Sequence, residues 1–178
     1  MRNLWLAAIF AAIAFPTEAA SIEAPLEPAL HGKVQCYAPN MARKTCLGIS
    51  SYRLDGDGAL EVISTTLVGL APEIITETTS SVEIKEGRVC GIFRLRDIAQ
   101  ADFTLDGKPA GNQQTYMLRD KIEESLHVYA NREACTTYLP EGSVFKAKSS
   151  FDGVAQPKLD QVVIWVSPGD GFRVGQSR

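Results

Sequence analysis

From Val34 onward apolar and polar residues alternate in short runs, and glycine-containing turns break those runs. The clearest run is "EIITETTSSVEIK", Glu73 to Lys85. Ile74, Thr76, Thr78, Ser80, Val82 and Ile84 share one parity, while Glu73, Glu77, Glu83 and Lys85 share the other. A period of two sends alternate side chains to opposite faces of a strand, so this stretch predicts a half-buried strand. Upstream, "GISSYRL" and "ALEVISTTLV" flank "DGDG" and predict a hairpin, because Asp-Gly supplies the φ > 0 positions that two-residue turns require. Glu86-Gly87 turns the chain back into "RVCGIF". Further along, "EACTTYL", then "VFKAKSSF" turning at Asp152-Gly153, then the apolar run "QVVIWV" read as strands.

One segment has a different period. Between Gln113 and about Ala130, Leu118, Ile122, Ser125, Leu126 and Tyr129 form a single stripe at 100° per residue, with Asp120, Glu123, Glu124 and His127 away from it. That stripe predicts a helix packed on a sheet. The order of elements predicts an α+β fold, mainly an antiparallel β-sheet with one long amphipathic helix packed across it. A small β-barrel with a helical lid is the alternative.

The N-terminus follows neither pattern. Arg2 precedes an unbroken apolar run from Leu4 to Phe15, followed by Pro16 and small residues. That order is the layout of a secretory signal peptide, residues 1–20, with cleavage near Ala19-Ala20. The run is shorter than the roughly 20 residues a spanning helix needs, so a retained anchor is the weaker reading. Residues 21–32 read as an extended lead with two prolines, and 33–178 as a single domain. The expected product is a periplasmic or secreted protein with no membrane span after cleavage.

Composition narrows the partners. A net charge of −3 and a pI near 5.4 leave no basic footprint for nucleic acid. All four cysteines, Cys36, Cys46, Cys90 and Cys135, lie in the exported portion. An even count in an oxidising compartment predicts two disulfides, though four cysteines allow three connectivities. The short spacing of Cys36 and Cys46, and the strand context of Cys90 and Cys135, favour those two pairs. No two cysteines have the spacing of a redox site, and the two histidines, His31 and His127, do not have that of a zinc site. No metal or cofactor is expected.

Other chemistry is sparse. "DGDG" opens like a calcium loop, but Ala59 and Thr66 stand where oxygen ligands belong, so a turn is expected. No G-x-S-x-G elbow or phosphate loop occurs. Two classes of function remain: a non-catalytic module binding an envelope protein or an apolar small ligand, and a small exported hydrolase using carboxylates. The sequence favours the first. The second has only Asp152, Asp160 and Asp170, near predicted turns, as candidate acids. Trp165 is a further surface candidate, with core packing its commoner role.

"VCGIF", "CTTYLP" and the ending "VIWVSPGDGFRV" together resemble a group of uncharacterised signal-peptide-bearing proteins of alphaproteobacteria with the same four-cysteine arrangement. The resemblance extends from about Gly32 to the C-terminus. It implies a Gram-negative envelope setting, the periplasm, and brings no activity with it.

Overall fold

The structure, a computed structural model, describes residues 25–176; the expected signal segment lies outside the described residues. Eight strands carry the fold: β1 (Val34–Tyr37), β2 (Gly48–Leu54), β3 (Leu60–Leu70), β4 (Glu73–Lys85), β5 (Arg88–Ile92), β6 (Glu133–Glu141), β7 (Val144–Phe151) and β8 (Gln161–Val166). Each pairs antiparallel with the next. The first and last then pair with one another, Val34 opposite Val166 and Tyr37 opposite Val163. The meander is therefore a closed up-and-down barrel. Closure leaves none of these eight strands as a bare edge, which an open sheet of this order would do twice.

The predicted turns behave as their residues require. Glu86 and Gly87 both take positive φ, 51° and 74°, and so do Asp152 and Gly153, at 49° and 78°. The β2–β3 connection is a hairpin but not a two-residue one. It runs from Asp55 to Ala59, with the Asp55 carboxylate accepting the N–H groups of Asp57 and Ala59. The long alternating strand is observed as predicted, Glu73–Lys85, with Ser80, Val82 and Ile84 turned into the barrel.

One end of the barrel is filled by apolar side chains. Leu26, Val89, Tyr138, Ala147 and Val163 form the buried cluster, with Leu60, Val82, Ile84, Phe145 and Trp165 against it. Leu26 comes from the expected lead, is fully buried, and is followed by a single helical turn, α1 (Glu27–Leu30). From Pro25 on, the lead is thus anchored rather than extended. On the outer face, the Cys36–Cys46 disulfide sits in a second cluster with Val166, Ile49, Ile164 and Phe172. The C-terminal residues Arg173–Val174 pair in parallel with Thr45–Cys46, so the "SPGDG" turn leads into a strap across that disulfide.

Between β5 and β6 the chain makes an excursion. It holds α2 (Leu95–Ala99), a short hairpin of Asp102–Leu105 with Lys108–Pro109, α3 (Asn112–Leu126) and a 3-10 turn, His127–Tyr129. The Cys90–Cys135 disulfide joins directly opposed residues of β5 and β6 and closes its base. The predicted helix is present, but it does not lie across a sheet. No residue of α3 is fully buried; Leu118, Ile122 and Leu126 face the tip of the β3–β4 hairpin, the helix also packs on α2, and Tyr129, at the end of the stripe, stacks on Phe151. The open sheet with a helix across it therefore gives way to the barrel alternative, because β8 finds its partner in β1 rather than leaving a sheet face for the helix.

No helix among the described residues is long and apolar enough to cross a membrane. Outward positions on β2 to β6 carry Arg53, Glu61, Glu83, Lys85 and Glu133, joined in the pairs Arg53–Glu61, Lys85–Glu83 and Lys85–Glu133. An apolar band such as a lipid-facing barrel needs is not formed by these positions.

Candidate functional site

Three of the eight strands repeat a short pattern at their inward positions: Gln35-Cys36-Tyr37, Ser50-Ser51-Tyr52 and Thr136-Thr137-Tyr138. Alternation turns the first and third residue of each triplet inward, so three tyrosines converge in the barrel. Their hydroxyls meet on one atom. Tyr37 and Tyr52 lie 2.8 Å from Gln35 Oε1, and Tyr138 lies 3.1 Å from it. The Tyr37 and Tyr138 hydroxyls are themselves 2.6 Å apart.

Counting protons shows what this cluster offers. An amide oxygen has two lone pairs, and three phenolic O–H groups surround it. Two donate to Gln35, and the third donates to a neighbouring phenol oxygen. With the amide oxygen toward the phenols, all three protons are used inside the cluster and the phenol oxygens are left as acceptors. Gln35 is fully buried, and its Nε2 has no partner. Whichever way the amide is turned, one polar end meets three hydroxyls and the other meets none. An unpaired buried group of this kind costs about 1–3 kcal/mol.

Burial also fixes the charge state. It pushes the Tyr37 and Tyr52 hydroxyls well above the ordinary phenol range and raises that of Tyr138. Part of the Tyr37 and Tyr52 rings is accessible, but their hydroxyl ends are shut inside the barrel. The cluster is neutral at physiological pH.

Beside the cluster is a cavity of about 220 Å³ lined by the three tyrosines, Ser50, Ser64, Ser80 and Thr136, with Val62, Val82 and Val89 as apolar wall. No charged side chain among the described residues lines it. Ser50 and Ser64 share one hydrogen bond of 2.9 Å, and Ser50 also bonds the Tyr37 hydroxyl. The cavity reaches the surface at Ser81 and Ile92, beyond the point where the β4–β5 ladder stops at Glu83 and Cys90. Gly91 lets the Ser81 carbonyl approach closely at this rim, since a Cβ there would lie 2.9 Å from that oxygen, and a larger side chain would crowd the mouth. α2 sits over the same rim, held by a 2.8 Å bond from Ser80 Oγ to the Asp97 carboxylate.

The residues singled out from sequence fall elsewhere, with one exception. Asp152 accepts from Arg132 and from the Glu133 N–H, and these bonds, Arg132 foremost, hold its carboxyl below the usual range. Asp160 accepts from the Ser149 N–H, and Asp170 from the Ser167 N–H. Asp170 closes its own turn, while Asp152 and Asp160 brace theirs against the start of β6 and against β7. Trp165 is the exception: it pairs in register with Gln35, and its ring is 6.5 Å from that of Tyr52, so it borders the tyrosine cluster from below. Among the described residues no three His, Cys, Asp or Glu side chains gather as a metal site requires. Sequence reasoning missed Gln35 and the three tyrosines; the repeated polar-x-Tyr triplet was the available signal.

Comparison with protein-family models, curated proteins and solved structures returned no match.

Proposed function

We propose that this protein is an exported, non-catalytic barrel that holds one small neutral ligand in its interior. The observation that carries this reading is the charge-free cavity ending on Gln35 and three phenols. An eight-stranded barrel has room either for its own side chains or for one small ligand, and here apolar residues fill one end while the other stays open. A dry cavity of 150 Å³ accommodates benzene, so about 220 Å³ suits a molecule of roughly ten non-hydrogen atoms. Phenol oxygens facing it select O–H or N–H donors on that molecule. The absence of a facing charge disfavours ions, which would be desolvated without compensation.

The two disulfides fit an oxidising compartment, and the N-terminal pattern with the alphaproteobacterial resemblance supports the periplasm. N-terminal sequencing of the exported protein is expected to begin near Ser21; a product starting at Met1 and released only by detergent would refute export by cleavage. The ligand reading is tested by calorimetric titration of the mature protein with neutral polyols and amides of that size, alongside matched carboxylates and amines. Neutral donors are expected to bind, and Tyr138→Phe to weaken them about tenfold through one lost hydrogen bond. Binding of the ions alone would overturn the reading.

A further inference from the structure

A second recess lies outside the barrel, between α3 and the tip of the β3–β4 hairpin, with a volume of about 490 Å³. That size is within the roughly 300–1,000 Å³ of small-molecule sites. Its floor is shaped by a bulge. The β3–β4 register shifts between Leu67 and Gly69, and Val68, at the shift, is 45% exposed. Bulges re-aim a side chain in this way. Gly69 then lets Ile74 lie across it, since a Cβ on Gly69 would come within 2.8 Å of Ile74 Cδ1. The facing wall is the helix stripe Leu118, Ile122 and Leu126. These three side chains are half-buried and none is fully buried, so the trough they form with Val68 and Ile74 stays partly open to water.

Among the described residues one charged side chain lines the recess, that of Lys121. It takes part in none of the ion pairs among the described residues. Its neighbour Ser125 donates its hydroxyl back to the Lys121 carbonyl, so it does not compete as a donor. The recess therefore combines an apolar trough with one unpaired cation. We propose that it binds a free single-chain amphiphile with a carboxylate head group, the chain between Val68, Ile74, Ile122 and Leu126 and the carboxylate on the Lys121 ammonium. An ammonium–carboxylate bond is among the stronger hydrogen bonds, and it excludes cationic amphiphiles by the same charge. The trough is separate from the barrel cavity, so the two sites are occupied independently.

The experiment is calorimetric titration of the mature protein with dodecanoate below its micelle concentration, with dodecanol and dodecyltrimethylammonium in parallel. One dodecanoate per protein is expected, with the cationic amphiphile at least about tenfold weaker. Lys121→Glu should weaken dodecanoate by about tenfold or more and reverse that preference. Ile122→Asp should abolish binding while the far-ultraviolet spectrum is kept, since α3 has no buried residue to lose. Gly91→Val, at the barrel mouth, should leave dodecanoate binding unchanged. Undiminished binding by Lys121→Glu would overturn the proposal. Loss of dodecanoate in Gly91→Val would place the amphiphile in the barrel instead. Flotation with phosphatidylglycerol vesicles free of dodecanoate would assign the trough to the bilayer, and likewise contradict it.

Discussion

Alkaline pH should unfold this barrel through Tyr37, Tyr52 and Tyr138. In an unfolded chain a phenol ionises near pH 10. In the barrel, burial raises all three, Tyr37 and Tyr52 most. A raised value means that the folded state keeps the proton after the unfolded state has lost it. Stability from these groups is thus fully present below about pH 10 and is lost as pH rises toward the folded values. Each retained proton costs about 1.4 kcal/mol per pH unit, so three cost roughly 4 kcal/mol per unit. A domain of about 5–10 kcal/mol stability would then unfold about 1 to 3 units above pH 10. The assay follows phenolate ultraviolet absorbance and circular dichroism on one sample. Three of the five tyrosines should ionise together with loss of structure, and Tyr138→Phe should cut the slope by about a third. Three phenolates appearing near pH 10 with the barrel intact would refute the buried cluster.

Replacing Cys36 and Cys46 by serine should lower stability by roughly 2.5 to 3 kcal/mol, and replacing Cys90 and Cys135 by roughly 4, because the second bridge closes the longer loop; urea unfolding measures both. Equal losses, or none, would contradict their role as staples. Leu26→Ala should cost about 2–5 kcal/mol in the same assay, since the side chain is fully buried in the barrel end, and a neutral result would mean that the lead is not anchored. Gly91→Val should cost about 1–3 kcal/mol by pressing on the Ser81 carbonyl and should exclude the interior ligand; unchanged ligand affinity would move the mouth elsewhere.

The strands, the tight turns and the helix were legible because each depends on neighbours in sequence. Alternation over Glu73–Lys85 and the Gly-containing turns at Gly87 and Gly153 are local signals. Closure was not legible, because it rests on Val34–Tyr37 meeting Val163–Val166 across most of the chain, and no residue in either strand specifies its partner. The inward Ser80 of β4 also looks like a solvent-facing residue until the barrel is drawn around it. α2 and the Asp102–Leu105 hairpin lack enough periodicity to stand out. The site itself is assembled from residues 35, 37, 52 and 138, each unremarked in its own strand and given meaning by convergence. The aspartates near turns stand out for the opposite reason: turns are readable from sequence, and these acids close a turn, as Asp170 does, or brace one against a neighbouring strand, as Asp152 and Asp160 do.

The central claim is that the barrel interior holds a small neutral molecule against Gln35 and the three tyrosines. Native mass spectrometry of the mature protein, taken from the periplasm without denaturation, tests it most directly. The account predicts a one-to-one adduct, released on denaturation as an uncharged compound bearing hydroxyl or N–H groups, and missing from Gly91→Val. An adduct that persists in Gly91→Val, or an interior that stays unliganded through titration with neutral donors, would contradict it.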